Sequence, residues 1–137
     1  MQPSISYLTL GVNDLQRARR FYQSMGWAER PESKDYVAFF SVNDFVFALY
    51  SLENLSEDAC FEFEPDARPK VVLSHNVSSA AQVDELLKKA VASGAELLRT
   101  PGVSQWGLYR GYFADTEGLV WEVCYNHKKP LGAPHAE

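Results

Sequence analysis

The sequence predicts an α+β fold made of two βαβββ modules, forming paired curved mixed sheets flanked by helices. Three observations carry this expectation. Strand-like alternation and capped amphipathic helices recur in the same order in both halves of the chain. Landmarks repeat at similar offsets: Val12 with Val77 (65 apart), Gly26 with Gly94 (68), Asp44 with Gly118 and Phe47 with Trp121 (both 74). The 137 residues, 46% of them hydrophobic, make one ordinary domain that buries roughly two-thirds of its unfolded surface, so no disulfide or metal is needed to hold it.

The elements follow in chain order. Residues 4–12 alternate and are rich in β-formers, which predicts a strand. Asn13, with Gln16 three positions on, is expected to cap a helix that Gly26 stops. Leu15, Ala18, Tyr22 and Met25 fall on its apolar face. Arg17, Arg19 and Arg20 are expected on a solvated face. Strands are expected at about 27–31, 36–42 and 45–51, the last two joined by a tight turn at Asn43-Asp44. Residues 52–69 lose the period and contain Pro65 and Pro69, so they form a linker with a short helical turn near 55–60.

The second half repeats the order. A strand is expected at 71–77, then a helix capped by Ser79 and Gln82 with a stripe of Val83, Leu86, Leu87, Ala90 and Val91, ended by Gly94. A short strand at 96–100, a loop at 101–107, and strands at 109–114 and 119–125 across an Asp115-Thr116-Glu117-Gly118 turn complete it. The chain thus divides into module 1 at 1–52, a linker at 53–69, module 2 at 70–128 and a tail at 129–137.

Composition narrows the function classes. A net charge of −5, with no Lys/Arg run longer than Lys128-Lys129, argues against nucleic acid. Apolar stretches are strand-sized, so a membrane-spanning helix is not expected. Met1-Gln2-Pro3-Ser4 lacks the basic and apolar regions of a secretory leader. Cys60 and Cys124 match neither metal spacing nor a disulfide framework, which favours a reducing, cytoplasmic setting.

Strand alternation assigns faces. Leu8, Leu10 and Val12 should meet the first helix, with Ile5, Tyr7 and Thr9 on the opposite face. By the repeat, Leu73, His75 and Val77 face the second helix, which makes His75 a hydrogen-bonded structural histidine. Val72, Ser74 and Asn76 then face the other way. Val46, Ala48 and Tyr50 match Val120, Glu122 and Cys124 on the pocket side. The four equivalent central positions are Tyr7, Ala48, Val72 and Glu122, a set with one strong metal ligand.

The segments YLTLGVNDLQRARRFYQSMGW at 7–27, HNVSSAAQVDELLKKAVASGAE at 75–96 and GYFADTEGLVWEV at 111–123 resemble the vicinal oxygen chelate superfamily. That superfamily includes glyoxalase I, extradiol dioxygenases, and fosfomycin and bleomycin resistance proteins. The resemblance covers nearly the whole chain and is nearest to a poorly characterised bacterial glyoxalase-like branch. Its metal-dependent members place a His on the first strand of each module and an acidic ligand on the last. Carried over, those positions are Tyr7 and Val72 for the histidines, and Ala48 and Glu122 for the acids; only Glu122 keeps its type.

The preferred expectation is metal-independent capture of a small apolar or aromatic molecule in a pocket between the sheets. Tyr7, Val46, Tyr50, Val72 and Trp106 would supply apolar contact; Glu122, Arg110 and Asn76 would supply orientation. Trp106, Tyr109, Arg110 and Tyr112 form an aromatic cluster with a cation suited to an acidic ligand. Arg110 is also the expected partner of the Glu122 carboxylate. Two alternatives stay open: a metal-dependent lyase, isomerase or dioxygenase, and a metal-free enzyme with Glu122 as catalytic base. No cofactor is expected, a divalent metal being disfavoured. The expected partners are a small-molecule ligand and a second copy of the chain in a homodimer.

Overall fold

The computed structural model describes residues 1–127. The tail at 129–137, with His135, lies outside the described residues. The chain forms two compact units, Met1–Ala67 and a second that begins at Arg68, so the 53–69 segment belongs almost wholly to the first.

In the first unit, β1 (Tyr7–Val12) runs parallel to β3 (Phe45–Ser51), and β2 (Val37–Val42) lies antiparallel on the far side of β3. A parallel neighbour requires a crossover, and α1 (Leu15–Ser24) supplies it. Its first turn is capped by Asp14, whose carboxylate accepts from the Arg17 amide at 3.1 Å. Sequence reasoning had placed this cap on Asn13. The helix starts one residue later than expected, and the Asn13 side chain instead donates to the Pro65 carbonyl at 2.6 Å. Gly26, at φ 100°, ends the helix, and Gly94, at φ 114°, ends its counterpart in the second unit.

The buried stripe of α1 is Leu15, Ala18, Phe21 and Tyr22, so Phe21 rather than Met25 completes it. Tyr22 packs with Trp27 at 5.0 Å and Phe47 at 5.2 Å between ring centres, and Trp27 packs with Phe40 at 6.0 Å. Burying each of these large side chains is worth about 1.5–3 kcal/mol, so packing rather than intrinsic helix preference holds α1 in place.

Two expectations for this unit need correction. No strand forms at 27–31: the segment contributes a single bridge from Glu29 to Phe40, because Pro31 has no amide to continue a ladder. Arg19 is not a solvated charge. Its half-buried guanidinium pairs with Glu29 at 3.1 Å and donates to the Lys34 and Val37 carbonyls, pinning the loop before β2. The helical turn expected near 55–60 is longer than predicted: α2 (Leu52–Ala59) starts directly after β3 with Ser51 as its cap.

The second unit is a four-stranded sheet in the order β4-β7-β6-β5. β4 (Val72–Val77) runs parallel to β7 (Val120–Tyr125), joined through α3 (Ala80–Ala92). β6 (Tyr109–Ala114) and β5 (Glu96–Val103) follow antiparallel. The capping pair of Ser79 and Gln82 is present: Ser79 Oγ accepts from the Gln82 amide at 3.2 Å, and Gln82 Oε1 accepts from the Ser78 amide at 2.8 Å. Val83, Leu87 and Ala90 are buried, whereas Val91 is exposed. His75 pairs with Val123 on the helix side of the sheet but is exposed, because β4 is an edge strand. β5 continues through Pro101 to Val103, where a loop had been expected; two register shifts carry the proline along an edge.

Replacing Asp14 with Ala removes the carboxylate from the first turn of α1 and is expected to cost about 1 kcal/mol. Asp14→Asn should recover most of it, and Asn13→Ala should leave α1 capped. Urea unfolding midpoints of the three variants, followed by far-ultraviolet dichroism, check this ordering.

Candidate functional site

The second sheet has one face under α3 and another that carries polar chemistry. Gly111, Phe113, Trp121 and Val123 point to the helix; Arg110, Tyr112, Glu122 and Cys124 point away, with Ser74 and Asn76 from β4 beside them. On that second face lies a cavity of about 420 Å³, lined by Arg99, Ser104, Gln105, Trp106, Leu108, Arg110, Tyr112 and Glu122. The size falls within the range of small-molecule sites.

Glu122 anchors the floor. Its Oε1 accepts a hydrogen bond from the Ser74 hydroxyl at 2.7 Å, and its Oε2 accepts one from the Tyr112 phenol at 3.1 Å. Register explains both partners: Ser74 lies directly across β4–β7, and Tyr112 directly across β6–β7. Arg110, expected to pair with Glu122, sits opposite Cys124 instead, and its Nη1 donates to the Gly102 carbonyl at 3.0 Å. Burial, then the hydrogen bond to Glu122, holds the Tyr112 phenol above its ordinary range, with Arg110 and Arg99 acting in the opposite sense. Burial and the neighbouring Glu122 push the Cys124 thiol up as well, which makes it a poor nucleophile.

Arg99 reaches this face through a defect in β5. Leu97 pairs with Phe113, but Arg99, not Leu98, pairs with Tyr112. The extra residue shifts the alternation by one and swings Arg99 from the helix side to the Glu122 side. A second shift sets Gly102 opposite Arg110. The bulged backbone presses on β6 at Gly111, where an added Cβ would lie 3.0 Å from the Arg99 carbonyl oxygen and 2.4 Å from Leu87 Cδ1. A side chain there would force Leu87 and the Arg99 carbonyl to give way.

The rim is the turn at 104–108. Ser104 Oγ accepts from the amides of Trp106 and Leu108, both at 3.2 Å, and Gly107 adopts φ 81°. This clamps the turn from within and leaves Trp106 74% exposed at its tip.

Of the site residues expected from sequence, the structure brings Trp106, Arg110, Tyr112 and Glu122 to one cavity. Tyr109 lies on the other face of β6, donating to Asp84 Oδ1 at 2.6 Å and lining a separate cavity of about 600 Å³ beside α3. Val72 and Asn76 are on the Glu122 side of the sheet, Val72 exposed and Asn76 half-buried. In the first unit Tyr7, Val46, Ala48 and Tyr50 share the face away from α1, where Tyr7 packs edge-on to Phe39 at 6.3 Å. Sequence reasoning missed Arg99, Ser104, Gln105 and Leu108 as cavity residues, and Phe39 beside Tyr7. The doubled Leu97-Leu98 before Arg99 and the Pro101-Gly102 pair were the available signals of a bulged strand.

A metal centre of the kind the resemblance implies does not fit these side chains. The positions that would hold its ligands are a phenol, a methyl group, an isopropyl group and the Glu122 carboxylate, whose two oxygens already accept hydroxyl hydrogen bonds. Among the described residues, no three His, Cys, Asp or Glu side chains gather as they would around an ion.

The family model described as the Glyoxalase/Bleomycin resistance protein/Dioxygenase superfamily matches residues 4–123. A glyoxalase-related enzyme from Fulvimarina pelagi, known from a crystal structure, is 33% identical with a TM-score of 0.88, covering 98% of this chain and 96% of that one. A hypothetical protein from S. aureus is 21% identical with a TM-score of 0.79, covering 92% and 95% of the two chains. Lactoylglutathione lyase from Agrobacterium tumefaciens is 20% identical with a TM-score of 0.71, covering 96% and 100%. The last two show the fold alone. No curated protein matches the chain.

Gly111→Ala drives a methyl group against Leu87 of α3 and the Arg99 carbonyl, and is expected to destabilise the protein by about 1–3 kcal/mol. It should also move Arg99, visible as a shift of its side-chain Nε–H resonance. A second expectation concerns alkaline pH. A phenol whose folded pKa lies above its unfolded value adds stability that is complete below about pH 10 and lost as pH rises through the folded value. Urea midpoints should therefore fall above about pH 10 in the wild type and fall less steeply in Tyr112→Phe.

Proposed function

Because the chain belongs to the Glyoxalase/Bleomycin resistance protein/Dioxygenase superfamily, we propose that it binds a small, partly aromatic molecule without a metal ion, in the cavity on the Glu122 face of the second sheet. One observation carries this most strongly. The acid at the family's ligand position is satisfied by Ser74 and Tyr112, so it is built into the cavity floor as a fixed acceptor. Trp106 then supplies stacking area from the rim, and Leu108 an apolar wall. Tyr7 and Tyr50, with the aliphatic Val46, offer an apolar surface at equivalent positions of the first unit. Val72 and Asn76 extend the Glu122 face.

A homodimer belongs to the same proposal, since Val71, Val72, Leu97, Leu98 and Val103 remain exposed. So does a cytoplasmic setting, in keeping with the free thiols of Cys60 and Cys124. No helix among the described residues is long and apolar enough to cross a membrane.

Thermal unfolding with a panel of mono- and bicyclic aromatic compounds tests the proposal, since a ligand selective for the native state raises the midpoint. The expected result is a rise that EDTA leaves unchanged and that Trp106→Ala reduces, with affinity falling about two- to tenfold for the lost ring contact. A rise that appears only with an added divalent cation and vanishes with EDTA would overturn metal independence.

A further inference from the structure

We infer that the molecule taken by the Glu122 cavity is an aromatic oxyanion, its ring against Trp106 and its carboxylate, phosphate or phosphonate facing Arg99 and Arg110. This rests on the cavity being a binding site and names the class of its ligand.

The charge balance is the first ground. In a chain of net charge −5, this cavity is lined by two guanidinium groups and one carboxylate. The carboxylate is not their counterion: its two oxygens take hydrogen bonds from Ser74 and Tyr112. Arg110 spends one donor on the neutral Gly102 carbonyl. Arg99 has no side-chain hydrogen bond or ion pair among the described residues. Of the five arginines outside the cavity, three are ion-paired, Arg19 with Glu29, Arg30 with Glu32 and Arg68 with Glu96, while Arg17 and Arg20 lie on the exposed face of α1. Two concave-facing guanidinium groups without an anion leave forked donors that match carboxylate and phosphoryl geometry.

The second ground is backbone. An unbroken β5 would send Arg99 to the helix side. The register shift between Leu97 and Arg99, packed against the side-chain-free Gly111 of β6, is what carries it to the cavity. The third is the rim. Trp106 stands largely exposed on a turn clamped by Ser104, which presents a flat apolar ring at little further ordering cost. A volume of about 420 Å³ suits one or two fused rings with an acidic group.

The test follows the indole N–H of Trp106 and the Nε–H groups of Arg99 and Arg110 by nitrogen-15 NMR on the full chain. It is titrated in parallel with 1-naphthoate, 1-naphthyl phosphate and uncharged 1-naphthamide. The expected result is that both anions shift all three signals, with affinity at least about tenfold above the amide. In Arg99→Gln, whose exposed side chain makes no contact that folding needs, this preference should shrink to about twofold. A tighter naphthyl phosphate assigns the site to phosphoryl compounds, and a tighter naphthoate to carboxylates. Equal binding of acid and amide, seen at Trp106 alone, overturns the oxyanion inference and leaves the cavity a binding site. No movement of Trp106 with any of the three overturns both.

Discussion

Each unit joins a parallel strand pair through a crossover helix, and one helix covers one face of a sheet. That constraint places Phe47 and Leu49 under α1, and Trp121 and Val123 under α3. It also leaves each sheet a second face that its own helix does not fill. On the second unit this face became polar, with a carboxylate, a phenol and two guanidinium groups; on the first it stayed aromatic and small, with Tyr7, Phe39 and Ala48. The chemistry of the chain lies in that difference between two copies of one plan.

Much of the plan was legible because it depends on periods. The offsets of 65 and 74 residues reappear in the strand registers: Tyr7 pairs with Val46, and Val72, 65 positions on, pairs with Val120, 74 positions on. Period-two alternation therefore placed Glu122, Tyr112 and Arg110 on one face correctly, and Ser74 and Asn76 with them. Expectations failed where a single residue breaks a period. Asn13 and Asp14 are both good caps, and the choice between them turned on Pro65, which lies 52 residues from Asn13 and occupies its side chain. Pro31 cut a strand to one bridge. Tyr109 joined its aromatic neighbours by proximity in sequence, although alternation from Arg110 puts it on the opposite face.

Arg99 shows the physical reason most clearly. A bulge resets alternation without changing composition, so counting assigns Arg99 to the wrong face until the second shift before Gly102 restores the phase. The bulged backbone lies close against Gly111 of the neighbouring strand, a clearance that no reading of β5 alone contains. Glu122 illustrates the converse. Its face was legible, but its partners were not, because Ser74 and Arg110 are both near neighbours in the sheet and only the register decides between them.

The clamp on the 104–108 turn has a bearing on how such a protein can change. Ser104 satisfies the turn's own amides, so Gln105 and Trp106 sit at its tip without supporting the core below. Exchanges at those two positions reshape the mouth of the cavity while sparing the folded frame. The mouth can thus be remodelled by tip replacement, at a mutational cost far lower than repacking a sheet would demand.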